Sequence, residues 1–207
     1  MRALSGGRLF AVVFALGLAG ITATTLFTWL IRPAALALHG QALAGRPAAD
    51  FELLTAGGRP FRLSDLRGRL VLLYFGYTFC PDVCPTTLSD LRRVMGTLGP
   101  QADRVQVVMV SVDPERDTPD RVDEYVKGFD PRFIGVSGSA EAVAAAAAVF
   151  DVYYSREAGS AATGYLVTHT ASLTLVDQAG QPRLIYSYGT PPADLAADLQ
   201  QLLALAR

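Results

Sequence analysis

The sequence predicts an α/β domain: a mixed β-sheet with flanking helices, preceded by an N-terminal β-hairpin and by one N-terminal transmembrane helix. Two continuous apolar runs, at residues 69–76 and 105–112, are typical of central strands that are covered on both faces. Apolar residues recur at helical spacing between these runs, which favours a parallel strand pair with a right-handed crossover. A strand–turn–strand pattern near the C-terminus adds an antiparallel pair and makes the sheet mixed.

The N-terminal segment has the composition of a membrane anchor. Its first 44 residues contain three charged residues, Arg2, Arg8 and Arg32. Residues 9–31 are uncharged and apolar, and as a helix they are long enough to cross the roughly 30 Å hydrocarbon core of a bilayer. Basic residues before this run favour a cytoplasmic N-terminus. A cleavable signal peptide with an A-x-A site at residues 35–37 is the alternative, but the apolar run is longer than is usual there.

We therefore expect three regions along the chain. Residues 1–32 form a cytoplasmic tip and the anchor, residues 33–47 form a tether, and residues 48–207 form one globular domain that is long enough to bury a core. The tether is rich in Ala, Gly and Pro, and its His39 is expected to be inert. The expected location is a bacterial-type inner membrane, crossed once, with the domain in the periplasm or another extracytoplasmic space.

The elements of the domain follow one another in a regular order. A short hairpin is predicted over residues 51–63, around Gly57-Gly58. Later helices have recognisable starts, with Thr118 and Ser139 as N-caps and proline at a first helical position. Predicted strands are 69–76, 105–112, 133–136, 171–176 and 183–188, and helical patterns cover 88–98, 119–129, 140–150 and 191–203.

Charge and composition exclude several classes of protein. All 19 acidic residues but only 15 of the 18 basic residues lie beyond the first 44 positions. This part of the chain is therefore slightly acidic, and a nucleic-acid-binding surface is not expected. A hydrophobic content of 51% argues against a disordered chain. The two cysteines are too few for a disulfide scaffold, and their closeness in sequence directs attention to them.

Cys80 and Cys84 lie where the strand at 69–76 runs into the start of a helix. Binding sites of open α/β sheets lie at this carboxyl edge, and the free N–H groups of a helix start stabilise a thiolate. The spacing places the two sulfurs about one helical turn apart, so they can share a metal ion or close a disulfide. The alternative is a pair of small buried apolar side chains.

His169 is the candidate for a third ligand, and it lies just before the predicted strand at 171–176. Such a histidine is otherwise a hydrogen-bonded structural residue. If its loop faces the helix start, one imidazole and two thiolates form a soft site that suits Cu(I) or zinc. Copper is favoured, since no clear fourth ligand completes a zinc tetrahedron. Asp82 either orients a ligand or caps the helix, and Asp113 either supports the same edge or forms an Asp-Pro turn.

Three segments of the chain resemble the Sco/SenC copper chaperones, membrane-anchored thioredoxin-like proteins that serve assembly of the CuA site in subunit II of cytochrome c oxidase. They are FGYTFCPDVCPTTL at 75–88, SVDPERDTP at 111–119, and the histidine after Tyr-x-Val at 165–169. The resemblance covers about residues 48–205. One departure stands out: the residue before the histidine is usually Asp in this family, and it is Thr168 here.

The resemblance implies a thioredoxin-like fold in which Cys80, Cys84 and His169 bind copper. It also implies that the two cysteines cycle between dithiol and disulfide, supported by a thiol reductant. The implied partner is subunit II of cytochrome c oxidase or a similar extracytoplasmic copper acceptor. A metallochaperone rather than an enzyme is therefore expected.

Two other functions fit part of the pattern. A thiol-disulfide oxidoreductase that reduces the partner's cysteines before metal insertion needs the two thiols but has no obligatory place for His169. A peroxiredoxin-like peroxidase shares the Thr-x-Cys neighbourhood. The proline-led approach to a peroxidatic cysteine is missing, because positions 74 and 76 are Tyr and Gly.

Overall fold

The computed structural model describes residues 14, 37–43, 50–160 and 164–205. The chain divides into two units, Met1–Ala37 and Leu38–Arg207. Nearly all of the predicted anchor lies outside the described residues. Within the part that is described, no helix combines the length and apolar character needed to cross a bilayer.

The second unit contains a central sheet with two hairpins. Its described strands are β1 (Gln41–Ala42), β2 (Glu52–Thr55), β3 (Arg59–Arg62), β4 (Leu70–Gly76), β5 (Val105–Ser111), β6 (Ile134–Val136), β7 (Tyr154–Ala158), β8 (Tyr165–His169), β9 (Leu173–Val176) and β10 (Pro182–Tyr186). The described α-helices of this unit are α1 (Val83–Leu98), α2 (Pro119–Lys127), α3 (Ala140–Val149) and α4 (Pro192–Leu205). The sheet has the order β1-β10-β9-β4-β5-β6, and β2-β3 and β7-β8 form separate hairpins.

The predicted mixed sheet is confirmed. Strands β4 and β5 are parallel and buried along their whole length, as their apolar runs indicated. Strand β9 runs antiparallel to β4 on the other side. Helices flank both faces of the sheet. Neighbouring residues of β4 point to opposite faces. Tyr74 contacts Cys84 of α1, whereas the ring of Phe75 lies 6.0 Å from that of Phe150, at the end of α3.

The predicted helix starts are largely confirmed. The side chains of Thr118 and Ser139 accept hydrogen bonds from the backbone N–H groups of Arg121 and Ala142, so both are N-caps. The last helix begins at Pro192, one residue later than the sequence indicated. Helix α1 buries the apolar stripe that predicted it, and it packs against α4.

The β7-β8 hairpin was not predicted. Strand β7 is half-buried at its start and exposed over Arg156, Glu157 and Ala158, so it lacks the apolar alternation by which a strand is recognised. The consequence concerns His169, which was expected in a loop before a strand beginning at residue 171. It is instead the last residue of β8, and β9 begins two residues after Ala171, at Leu173.

His39 makes a structural contact that the sequence did not indicate. Its Nδ1 lies 2.8 Å from Oδ1 of Asp198, a fully buried residue of α4. The same carboxylate accepts hydrogen bonds from the backbone N–H groups of His39 and Gly40 and from the hydroxyl of Tyr186. Close by, β1 adds to the sheet edge with Gln41 opposite Ile185. These residues of the predicted tether are thus fastened to the domain.

The His39–Asp198 pair makes stability depend on pH. Its hydrogen bond to Asp198 raises the pKa of His39 above 6.5. Burial opposes the charge of Asp198, but hydrogen bonds from His39, Gly40 and Tyr186 outweigh it and hold its pKa below 3.8. The stabilisation by Asp198 is therefore lost as pH falls through its lowered pKa, and that by His39 is lost as pH rises through its raised pKa.

We expect the Tm of a His39→Gln variant to lie below that of the wild type in mildly acidic solution and to approach it above neutral pH. Between about pH 4 and 6.5 both groups of the wild-type protein contribute, so its Tm should exceed that of the variant. As the pH rises further, the difference in Tm should shrink, because the imidazole loses its proton. Thermal unfolding followed by circular dichroism at several pH values measures the difference. A constant difference from pH 5 to 9 would show that the imidazole charge contributes nothing.

Candidate metal centre

The two cysteines lie at the junction of β4 and α1. After Gly76 the chain turns through residues 77–82, and α1 begins at Val83. Cys84, in the first turn, is fully buried, whereas Cys80 is half-buried, and neither forms a disulfide. The backbone N–H of Cys84 lies 3.4 Å from Sγ of Cys80 and donates to it. The helix start therefore stabilises negative charge on Cys80, as the sequence predicted.

His169 completes a group of three ligand atoms. Its Nε2 lies 3.5 Å from Sγ of Cys84, and the ligand atoms of Cys80, Cys84 and His169 all lie within 4.8 Å of one another. Its Nδ1 lies 3.2 Å from the carbonyl oxygen of Thr170. A proton on Nδ1 donates to that carbonyl and leaves Nε2 free to bind a metal. The structure thus brings together the three residues that the sequence singled out.

The surroundings shift the pKa values of the two thiols in opposite directions. A hydrogen bond from Cys84 is the main cause that lowers the pKa of Cys80 to about 3; burial opposes it, and His169 and the backbone N–H groups of Asp82 and Cys84 add to it. The interaction with Cys80 and its own burial raise the pKa of Cys84. The surroundings therefore favour negative charge on Cys80 and disfavour it on Cys84.

An open groove leads to Cys80 from outside. It is lined by residues of the cysteine loop and of β8: Tyr77, Cys80, Pro81, Asp82, Val83, Leu166, Val167, Thr168, His169 and Ala171. Cys84 is not part of its lining and lies deeper. The exposed Thr168 stands on the groove wall beside His169, so the position that departs from the resemblance faces whatever approaches the site.

The two predicted aspartates are near the site but are not ligands. Asp82 precedes α1, yet its side chain makes no capping hydrogen bond, so the capping role is not observed. Its exposed side chain lines the groove instead. Asp113 is buried, and its carboxylate accepts hydrogen bonds from Arg116 Nε and from the Tyr165 hydroxyl, both at 2.5 Å. Because Tyr165 begins β8, Asp113 acts on the strand that carries His169 rather than on the cysteines.

Arg116 joins the cysteine loop to the strand of His169. Its guanidinium carbon lies 3.6 Å from the ring centre of Tyr165 and 4.6 Å from that of Phe79. Its Nη1 also donates to the carbonyl oxygen of Tyr165 at 2.9 Å. A planar guanidinium can stack and donate at once, which a lysine cannot do. Arg116 was not singled out from the sequence, although it belongs to the SVDPERDTP segment.

Asp117, in the same segment, was also not singled out from the sequence, and it contacts the cysteine loop directly. The carboxylate is fully buried and accepts hydrogen bonds from the backbone N–H of Thr78 at 2.8 Å and from its hydroxyl at 2.5 Å. The hydroxyl of Ser111, at the end of β5, donates to it at 2.6 Å. One side chain therefore ties the loop before Cys80 to the neighbouring central strand.

Comparison with known proteins gives a consistent match. Residues 40–204 match the model of the SCO1/SenC family. The SCO2-like protein of Rickettsia felis is 36% identical over 133 residues, which are 64% of this chain and 65% of that protein. The aligned part is thus less than two thirds of that relative's length.

Solved structures agree in fold. Apo Sco1 from Thermus thermophilus is 44% identical, with a TM-score of 0.72, over 84% of this chain and 99% of that one. ScoI from Bradyrhizobium japonicum, solved with copper bound, is 35% identical, with a TM-score of 0.68, over 75% of this chain and 98% of that one.

Proposed function

This chain belongs to the SCO1/SenC family, and from that premise we propose that it is a copper chaperone that binds one copper ion through Cys80, Cys84 and His169. The observation that carries the proposal is the convergence of two sulfurs and one imidazole nitrogen within 4.8 Å of one another. Thiolate and imidazole ligands select a soft ion such as Cu(I). Its relative from Bradyrhizobium japonicum was solved with copper bound, which supports the choice of metal.

The site is suited to releasing its metal as well as to binding it. Cys80 and His169 line the open groove, while Cys84 lies behind them. Three protein ligands leave a coordination position free, and the groove gives an acceptor's side chain access to it. Within the described residues no fourth His, Cys, Asp or Glu joins this group. A carrier needs this arrangement, whereas a structural zinc site is closed by four ligands.

The proposed acceptor is the CuA site in subunit II of cytochrome c oxidase, or a similar extracytoplasmic copper site. This follows from the family and from the apolar run at 9–31, which supports anchoring in a bacterial-type inner membrane with the domain outside the cytoplasm. Protease added to intact spheroplasts should digest the domain of a membrane-bound protein. Protection of the domain, or its release by alkaline extraction, would contradict this arrangement.

Copper binding is tested by titration of the reduced protein. Under anaerobic conditions with a chromophoric Cu(I) chelator as competitor, we expect one copper ion per chain. X-ray absorption should show two sulfur ligands and one nitrogen ligand. Binding of zinc in preference to Cu(I), or a stoichiometry that persists after both thiols are alkylated, would overturn the proposal.

Thiol-disulfide exchange is a second candidate function for the same residues. One observation favours it: the half-buried Cys80 accepts a hydrogen bond from the helix start, which lowers its pKa, and the buried Cys84 lies behind it where a resolving thiol is needed. A reductant of a partner's disulfide needs this asymmetry. The two functions are compatible, because the reduced pair is also the form that binds metal.

A further inference from the structure

A buried tyrosine hydroxyl lies against the sulfur of Cys84. Tyr74, in β4, has no exposed surface, and its hydroxyl donates to Sγ of Cys84 at 3.2 Å. We propose that Tyr74 is a positioning residue that stabilises the reduced, metal-ready form of the cysteine pair. The inference rests on the proposed function, since it assigns a further residue to the same site.

The chemistry of the two groups fixes the direction of this hydrogen bond. A phenolic hydroxyl is a good donor, whereas a thiol is a weak donor and a thiolate sulfur can only accept, so the bond runs from Tyr74 to Cys84. A tyrosine hydroxyl is ordinarily protonated at neutral pH, because its unperturbed pKa is about 10, so Tyr74 remains a donor.

The local packing keeps the ring and the sulfur together. Gly76 follows Tyr74 on the same face of β4, and a Cβ atom at this position would lie 2.7 Å from Cε1 of Tyr74 and 3.0 Å from Sγ of Cys84. It would also lie 3.2 Å from Cε of Met109, on the neighbouring strand. Any side chain at position 76 would displace one of these groups. The glycine thus leaves the space in which the hydroxyl reaches the sulfur.

The hydrogen bond distinguishes the reduced pair from the disulfide. A Cys84 thiolate, whether released on reduction or bound to a metal, carries negative charge that a disulfide sulfur lacks, and hydrogen bonds to a charged acceptor are the stronger ones. Tyr74 therefore stabilises the dithiol, and the same donor remains available when the Cys84 sulfur is a metal ligand. Hydrogen bonds to ligating sulfurs are a known means by which proteins tune metal sites.

The reduction that Tyr74 assists balances with a dithiol as the reductant. One thiolate of the reductant attacks the Cys80 sulfur from the groove, the Cys80–Cys84 bond breaks, and the Cys84 sulfur leaves with the electron pair towards Tyr74 and takes up a proton. The second thiol of the reductant then attacks the mixed disulfide and releases the Cys80 thiolate and one proton to solvent. Two electrons have passed to the cysteine pair, and the reductant has become a cyclic disulfide.

The test compares Tyr74→Phe with Tyr186→Phe in the full-length chain, without metal. Tyr186 is the matched control, because it is a buried tyrosine whose hydroxyl donates to Asp198 and not to a cysteine. Each protein is equilibrated with mixtures of reduced and oxidised dithiothreitol, and its free thiols are counted by alkylation and mass spectrometry. For Tyr74→Phe we expect the equilibrium constant for reduction to fall about tenfold, which makes the potential about 30 mV more negative. The control should match the wild type.

A second variant and a second measurement keep the proposal open to contradiction. Gly76→Ala keeps the tyrosine hydroxyl, but the added methyl group displaces the ring from the sulfur. The reduction potential of this variant should therefore shift in the same direction. In the Cu(I) competition, Tyr74→Phe should also bind more weakly than Tyr186→Phe. Potentials equal to that of the wild type in both Tyr74→Phe and Gly76→Ala would overturn the proposal. A wild-type protein that binds no Cu(I) would instead refute the proposed function, because the metal-free potentials are measured separately.

Discussion

Replacement of His169 by alanine is expected to lower the affinity for Cu(I) by more than about 100-fold and to leave thiol-disulfide exchange nearly unchanged. Loss of a residue that merely orients a metal ligand typically costs 10–100-fold, so loss of a ligand costs more. Its imidazole lies at the end of β8 and on the wall of an open groove, so the alanine variant leaves no closed cavity. The fold should therefore survive the change.

The effect on Cu(I) is measured with a competing chelator, and exchange is measured as the rate at which the protein reduces a model disulfide. Cys80→Ser and Cys84→Ser should each lose both activities, because each thiol serves both. His39→Ala is the matched control: the chain has two histidines, and His39 contacts Asp198 rather than the cysteines. If His169→Ala binds Cu(I) as tightly as the wild type, the imidazole is not a ligand, and thiol-disulfide exchange becomes the better account of the site.

The part of the fold that encloses the site is the part that the sequence predicted well. Strands β4 and β5 are buried on both faces, so almost every residue had to be apolar, and their runs are conspicuous. Caps such as Thr118 and Ser139 are local, since the donor and the acceptor are three residues apart. Local signals of this kind are readable without knowledge of the tertiary contacts.

The strand that carries His169 could not be predicted in the same way. Hairpin β7-β8 has one strand with an exposed and charged half, so neither alternation nor an apolar run marks it. The pairing of Tyr154 with His169 joins residues fifteen positions apart, and only the folded chain shows that they are neighbours. His169 was still singled out as a candidate ligand, because the chemistry of the imidazole and the resemblance indicated it without knowledge of the strand.

Polar residues that support the site were recognised only in part, for a different reason: Asp113 was singled out with a turn as its alternative, whereas Arg116 and Asp117 were not singled out. Asp113, Arg116 and Asp117 follow β5 in a segment that suits a turn, and a turn explains aspartate and proline there without any long-range contact. Their partners lie far away in sequence: Tyr165 for Asp113 and Arg116, and Thr78 for Asp117. A close spacing such as Cys80 to Cys84 can be recognised in a sequence, whereas such distant pairs cannot.

Replacement of Asp117 by alanine is expected to destabilise the domain by about 3 kcal/mol or more, the second large effect we predict. The variant removes three hydrogen bonds to a buried carboxylate and leaves the Thr78 N–H, the Thr78 hydroxyl and the Ser111 hydroxyl without their acceptor. A hydrogen bond to a charged group contributes about 1.5–3 kcal/mol, and a buried donor left unpaired costs a similar amount. Urea unfolding followed by circular dichroism measures the loss.

The Asp117→Asn variant removes the negative charge of the side chain and keeps its shape. The amide oxygen can still accept, but its NH₂ group faces donors that it cannot pair with, so we expect an intermediate loss of stability. Asp120→Ala is the control from the same segment, since its carboxylate is exposed and accepts from the backbone N–H of Gly57. Its effect should stay below about 1 kcal/mol, as is usual for surface substitutions.

The same variants show whether Asp117 serves the metal site or only the fold. Thr78 stands two residues before Cys80, so release of its N–H and hydroxyl frees the loop that positions the sulfur. A site held less firmly has to be ordered each time the metal binds, which lowers affinity even when the protein is fully folded. Measured well below the unfolding transition, the Cu(I) affinity of Asp117→Asn should therefore fall by about tenfold, whereas that of Asp120→Ala should not change. Loss of stability with unchanged affinity would restrict Asp117 to the fold and leave the placement of Cys80 to the start of α1.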